Sequence, residues 1–228
     1  MTYSTHHREA ATKLALEQDK NIYFKIKYMT IQIEIVSEQQ QREEIYSFRY
    51  SIYVEEMGRT QLHADREKKR ICEPLDDKAI LFAAYENGEI VGTSRVNYSK
   101  DSDFGYYHDF YEIDKIGQYH SQRTCITTKF MVKSEYRKGT LAVRLVASGY
   151  ANALKAGIRY NFIDVNPHLI NFFMRLGYRF HKDAHHPEYG DVTIMVFDLE
   201  DINHLESIES PLRKEYYSFM KNYSLATA

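Results

Sequence analysis

The sequence predicts an α/β protein built on a mixed sheet flanked by helices, and three features carry that prediction. The run TIQIEIV from Thr30 alternates Ile31, Ile33 and Ile35 against Gln32 and Glu34, the period of a half-buried strand. In AILFAAYENGEIVGTSRVNY two β-type runs meet at Asn87-Gly88, a dipeptide suited to the left-handed backbone of a tight hairpin. From Thr124 to Gly177 the chain reads strand, helix, strand, helix, which makes a parallel unit inside the same sheet.

Taken in order, residues 1–28 are polar and weakly patterned and form an N-terminal extension. Residues 29–200 form the main domain and 201–228 a C-terminal helical extension. After the first strand, Ser37 with Gln40 three positions on predicts a capped helix, its inner face marked by Ile45, Phe48 and Ile52. The hairpin follows. Ser99 to Arg123 is polar and rich in tyrosine without clear period, so it reads as a long loop with short helical pieces. TCITTKFMV is strand-like. The next helix has a polar stripe of Arg144, Ser148, Asn152 and Lys155, and the apolar remainder lies against the sheet. Gly157 ends it, YNFIDV is the next strand, and NPHLINFFMRLGY is a short helix closed by Gly177. DVTIMVFDL from Asp191 is a last strand, and the C-terminus reads as an amphipathic helix with Pro211 early in it.

Thirty Lys and Arg against 32 Asp and Glu leave a net charge of −2, so bulk charge offers no attraction for nucleic acid. The two cysteines, Cys72 and Cys125, form no CxxC pair and suit a reducing compartment. With no apolar run of membrane-span length and no signal-peptide core, the expected location is cytoplasmic. His181, His185 and His186 lack a helix to gather them, so they read as solvated loop histidines and no metal is expected. The stretch KFMVKSEYRKGTLAVRL hands a strand over to a helix through Gly139 and several cations, the kind of turn whose backbone N–H groups cradle phosphate.

These elements and their residues resemble the GNAT superfamily of N-acyltransferases over residues 30 to 200. Val132, Glu135, Tyr136 and Arg137 match the segment that ends the family's strand before its long helix, and Asn166 through Leu176, Gly177 and Tyr178 match a later helix. The resemblance implies a central sheet whose two parallel strands splay apart. It further implies that backbone donors, expected at Met131 and Val132, hold a thioester arm and polarise its carbonyl in the gap. In the pyrophosphate loop, Thr140 stands where the family has glycine, and its Cβ obstructs the close approach of a diphosphate. Phe173 falls where many such enzymes carry a tyrosine acid.

The N-terminal half resembles one branch, the autoinducer synthases and long-chain N-acyl amino acid synthases. FRYSIYVEEMG gives Arg49 and Tyr53, EPLDD gives Glu73 and Asp76, VGTSRV gives Arg95, and TTKFMV places Lys129 where the branch has arginine. The glutamate that branch often carries three residues earlier is Ile126 here, which argues against a homoserine-lactone product. The implied activity is transfer of a long-chain acyl group from an acyl carrier protein thioester, or from acyl-CoA, to the amino group of an amino acid or similar small amine. No permanently bound cofactor is implied. Acetyl-CoA-dependent acetylation and a catalytically silent binding domain are the alternatives.

On this reading Glu73 and Asp76 face Arg95 and steer deprotonation of the amine through water, the alternative being a surface ion-pair cluster. Arg49 either contacts substrate or anchors the Glu73/Asp76 loop. Tyr53, Arg95, Lys129, Asn166 and Phe173 are expected at the substrate, with Phe162, Phe172 and Phe173 walling the chain pocket. Lys133, Arg137, Lys138, Gly139, Thr140 and Arg144 are expected to rim the donor mouth as a docking patch for an acidic carrier protein. Asp164 reads as either a polar face residue or a base.

Overall fold

The computed structural model describes residues 31–116 and 121–227, so the expected N-terminal extension lies outside it. In chain order come β1 (Gln32–Val36), α1 (Gln39–Tyr50), a π-helical turn (Ser51–Glu56), β2 (Ala64–Asp65), β3 (Arg70–Ile71), β4 (Ile80–Glu86) and β5 (Glu89–Tyr98). Then follow α2 (Tyr106–Phe110), β6 (Thr124–Val132), α3 (Leu141–Lys155), β7 (Tyr160–Val165), α4 (Ile170–Leu176), β8 (Arg179–His186), β9 (Gly190–Asp198), α5 (Ile202–Ser207) and α6 (Arg213–Thr227). A seven-stranded sheet runs in the order β1-β4-β5-β6-β7-β9-β8, antiparallel except between β6 and β7. β2 and β3 make a separate small ribbon.

Period-two alternation divides the strands between two cores. Phe82, Ala84, Cys125, Ile163 and Met195 face α3, α4 and α6. On the other face Leu81 and Ala83 meet α1, while Ile126, Phe162 and Ile194 meet Tyr107 and Tyr111 of the α2 segment. Leu141, Leu145 and Leu154 of α3 are buried, each contributing about 1.5–3 kcal/mol. Asn87 and Gly88 take φ of 53° and 83°, the turn their sequence predicts.

Several expectations need correcting. The N-cap of α1 is Glu38 rather than Ser37, and no side chain caps it. Ile35 is exposed, although Ile31 and Ile33 on the same face pack against the α3 core, and its neighbour Val36 on the other face is buried with Ile45 and Leu81. Pro211 precedes α6 instead of lying within it. The segment holding His181, His185 and His186 is not a loop but β8, an edge strand paired only to β9. His186 is buried there, with Nε2 against the Tyr106 hydroxyl and Nδ1 accepting from Glu188 N–H at 3.0 Å.

Candidate active site

The β6–β7 ladder holds only from Thr124↔Tyr160 to Ile126↔Phe162, after which both strands run on unpaired with each other. Across β5, Thr93 opposes Met131 while Arg95 opposes Thr128, so Ser94 faces two residues and β6 bulges at Lys129 and Phe130. Lys129 takes φ 51°, a left-handed conformation that costs a lysine about 1–3 kcal/mol. The bulge breaks the alternation, so that Thr128 and Lys129 share one face, Thr128 accepting from Arg95 Nε at 2.8 Å. Lys129 goes to the α1 side, over the rings of Tyr53 and Tyr189, and Phe130 goes to Phe173 of α4.

Lys133 N–H donates to Val91 O at 2.9 Å, with Gly92↔Val132 and Thr93↔Met131 next in register. The alternation of an antiparallel ladder therefore turns the Met131 N–H toward β5 and the Val132 N–H toward the gap. Of the two expected backbone donors, the register turns Val132 to the gap and Met131 to β5. The Val132 carbonyl, on the same side as its N–H, accepts from Arg137 Nε at 2.9 Å.

The gap opens into a cavity of about 460 Å³, within the roughly 300–1,000 Å³ of ligand pockets. It is lined from both faces of the sheet, so it passes through the splay. On the α3/α4 side Phe130, Leu145, Val146, Phe172 and Phe173 make an apolar wall. On the other side Tyr53, Tyr107, Lys129, Asp164 and Tyr189 supply polar groups.

Behind that polar side lies a buried charge cluster. Arg49 Nη1 bonds Asp76 Oδ2 at 2.8 Å, and Arg95 Nη1 reaches Glu73 Oε2 at 2.7 Å and Asp76 Oδ1 at 3.4 Å. Glu73 N–H donates to Asp76 Oδ2 at 2.7 Å and ties the loop closed. Lys129 Nζ bonds Glu73 Oε1 and donates to the Tyr189 hydroxyl at 2.6 Å, which donates to Gln61 Oε1 at 3.2 Å. Burial would raise the Glu73 carboxyl, but the Lys129 ammonium and Arg95 guanidinium hold it down at about 2. Asp76 is likewise held low against its burial by Arg49 and Arg95. Burial pushes Lys129 down, outweighing Glu73, and pushes the Tyr53 hydroxyl up to about 12.

Glu73 and Asp76 are not a surface cluster, and neither lines the cavity. Glu73 is engaged by Arg95 and Lys129, and Asp76 by Arg49 and Arg95. Arg49 and Arg95 are fully buried behind the cavity, and Arg49 also donates to Ile71 O at 3.5 Å, so it anchors the loop. Tyr53, Lys129, Asn166 and Phe173 do line the cavity. Phe172 does too, whereas Phe162 packs on the opposite face against Tyr111.

On the donor side only Arg137 of the expected cations lines the cavity, and it is paired with Glu56. Lys133 lies 3.8 Å from Glu89, and Arg144 turns away to donate to Ile31 O at 2.6 Å. Lys138 has no ion-pair partner among the described residues. Gly139 N–H donates to Tyr136 O at 3.1 Å, and Thr140, at φ −88°, is the N-cap of α3. Sequence reasoning missed Tyr107 and Tyr189. The richness in tyrosine of the loop before β6 was the one available signal for Tyr107, and only the β8–β9 hairpin brings Tyr189 onto Tyr53, with ring centroids 5.6 Å apart.

The family model described as N-acyl amino acid synthase FeeM matches residues 44–198. In fold the chain is similar to FeeM, an N-acyl amino acid synthase from uncultured soil microbes, with a TM-score of 0.61 and 15% identity over 81% of this chain and 98% of that one. It is also similar to BjaI, a CoA-dependent acyl-homoserine lactone synthase, with a TM-score of 0.60 and 16% identity over 80% of this chain and 91% of the other. No curated protein matches the chain by sequence.

Proposed function

The chain belongs to the FeeM family of N-acyl amino acid synthases, and from that premise we propose that it moves a long-chain acyl group from acyl carrier protein to the amino group of an amino acid. The observation that carries this reading is the cavity through the sheet, apolar on the α3/α4 side and polar on the other. A thioester arm entering the splay meets the Val132 N–H group, which donates to the carbonyl oxygen as it becomes an oxyanion. The acyl chain lies along Phe172 and Phe173, a wall far more extensive than an acetyl group needs. On the acceptor side Lys129 spends two of its three N–H donors on Glu73 and Tyr189. The third is left for the acceptor's carboxylate. Three cations to two carboxylates in the cluster leave one positive charge to be met by that anion.

The donor is a carrier protein because the Thr140 Cβ stands at the start of α3, where a diphosphate needs close backbone approach. Acyl-CoA is the second reading, favoured by the pairing of Arg137 with Glu56 and Lys133 with Glu89, which leaves little free positive charge for an acidic carrier. Amine-dependent thiol release from dodecanoyl carrier protein and from dodecanoyl-CoA, compared across salt concentrations, separates the two. The carrier should give the higher kcat/KM, and its advantage should fade as salt shortens the screening length. Equal or better turnover of the CoA thioester at low salt transfers the assignment to CoA.

A further inference from the structure

Asp164 is the only carboxylate that lines the cavity among the described residues. It lies on β7, across the gap from Lys129 on β6. The Tyr111 hydroxyl donates to its Oδ1, and no other described residue bonds the carboxylate. Glu73 and Asp76 cannot serve the acceptor's amine, since their oxygens are spent on Arg49, Arg95, Lys129 and the loop backbone. Asp164 has an oxygen to spare and faces the chamber bounded by Tyr53, Tyr107 and Tyr189. Burial, and then the charge of Asp164, keep the Tyr107 and Tyr111 hydroxyls well above the usual tyrosine range, so both stay protonated as donors around it.

We infer that Asp164 receives the ammonium group of the acceptor and takes its proton, while Lys129 holds the carboxylate at the other end. The inference rests on the N-acyltransfer reading above. The acceptor arrives as R–NH3⁺ and gives one proton to the free oxygen of Asp164. The nitrogen lone pair then forms the C–N bond at the thioester carbon, and the C=O electrons move onto oxygen beside the Val132 N–H group. Collapse of the oxyanion breaks the C–S bond. The thiolate takes the second nitrogen proton to leave as thiol, and Asp164 returns its proton to solvent.

The test uses the full chain, dodecanoyl carrier protein and dodecanoyl-CoA as donors, the twenty amino acids as acceptors, and hydroxylamine as a nucleophile that is already neutral at neutral pH. Asp164→Asn should lower kcat with the best amino acid by about 10²–10⁴-fold, the range for a lost general base. With hydroxylamine the loss should be under about tenfold, because no proton need be removed before attack. Equal losses with both nucleophiles, or wild-type turnover of the amino acid, would overturn the inference. If Asp164→Asn does not fold, Tyr111→Phe carries the test, since it frees the carboxylate to swing; its loss must again be larger for the amino acid than for hydroxylamine. A wild-type protein that releases no thiol with any amine or with hydroxylamine would instead overturn the N-acyltransfer reading itself.

Discussion

Asp76 shows how a single side chain organises the polar half of the site. Its two oxygens serve Arg49, Arg95 and the Glu73 N–H, and all three charged side chains are fully buried. Asp76→Asn leaves two guanidinium groups short of a counter-charge and should cost about 3–5 kcal/mol in urea denaturation, the range for breaking a buried pair. A loss under about 1 kcal/mol would show that the cluster is wet and loosely held. The same carboxylates set the acid limit of stability. Glu73 and Asp76 titrate below their unfolded values of about 4.3 and 3.9. Their contribution is therefore fully present above those values and is lost as pH falls toward about 2, where Glu73 protonates. Thermal melts should give a Tm that is flat from neutral pH down to about 5 and falls steeply below about 4, with a shallower fall in Glu73→Gln.

Among the elements, α4 and its exit show how close packing fixes the apolar wall. Gly177 ends that helix at φ 126°, and a Cβ there would sit 2.7 Å from Leu205 Cδ2 and 2.8 Å from Phe197 Cε2. Gly177→Ala should cost about 1–3 kcal/mol while leaving kcat per folded molecule near wild type, measured by calorimetry alongside turnover. The ends of α3 and α4 and the β4–β5 hairpin were legible because Gly157, Gly177 and Asn87-Gly88 mark them in the sequence. β8 was not legible: an edge strand carrying Lys182, Asp183 and three histidines, with Phe180 turned to solvent, has no apolar alternation to read. Nor was the bulge, since nothing in a lysine announces a left-handed backbone, and only the β5 register shows it. The π-helical turn over Ser51–Glu56 extends a helix already predicted, and its wider winding is a change that no spacing rule resolves. At the site, the quoted motifs gave the identities of Glu73, Asp76, Arg95 and Lys129 but not their depth. The separation of Arg49 and Arg95 from the cavity follows from tertiary packing alone.

For the whole molecule, the proposed reading makes the sheet a septum, with the donor's chain on one side, the acceptor on the other and the reacting carbonyl in the gap between β6 and β7. The two halves should then be separable by mutation. Phe172→Ala enlarges the apolar wall and, being half-buried, should spare the fold. It should shift the preferred donor toward longer chains without changing the ranking of acceptors, as read from kcat/KM across a chain-length series. An unchanged chain profile would assign Phe172 to packing alone. The most direct test of N-acyl transfer is mass spectrometry of the product formed by purified protein from a dodecanoyl thioester and the mixed amino acids. The expected result is an N-dodecanoyl amino acid that appears in step with free thiol and is absent when the amines are omitted. Thiol release at the same rate without amines, yielding only free dodecanoic acid, would contradict it.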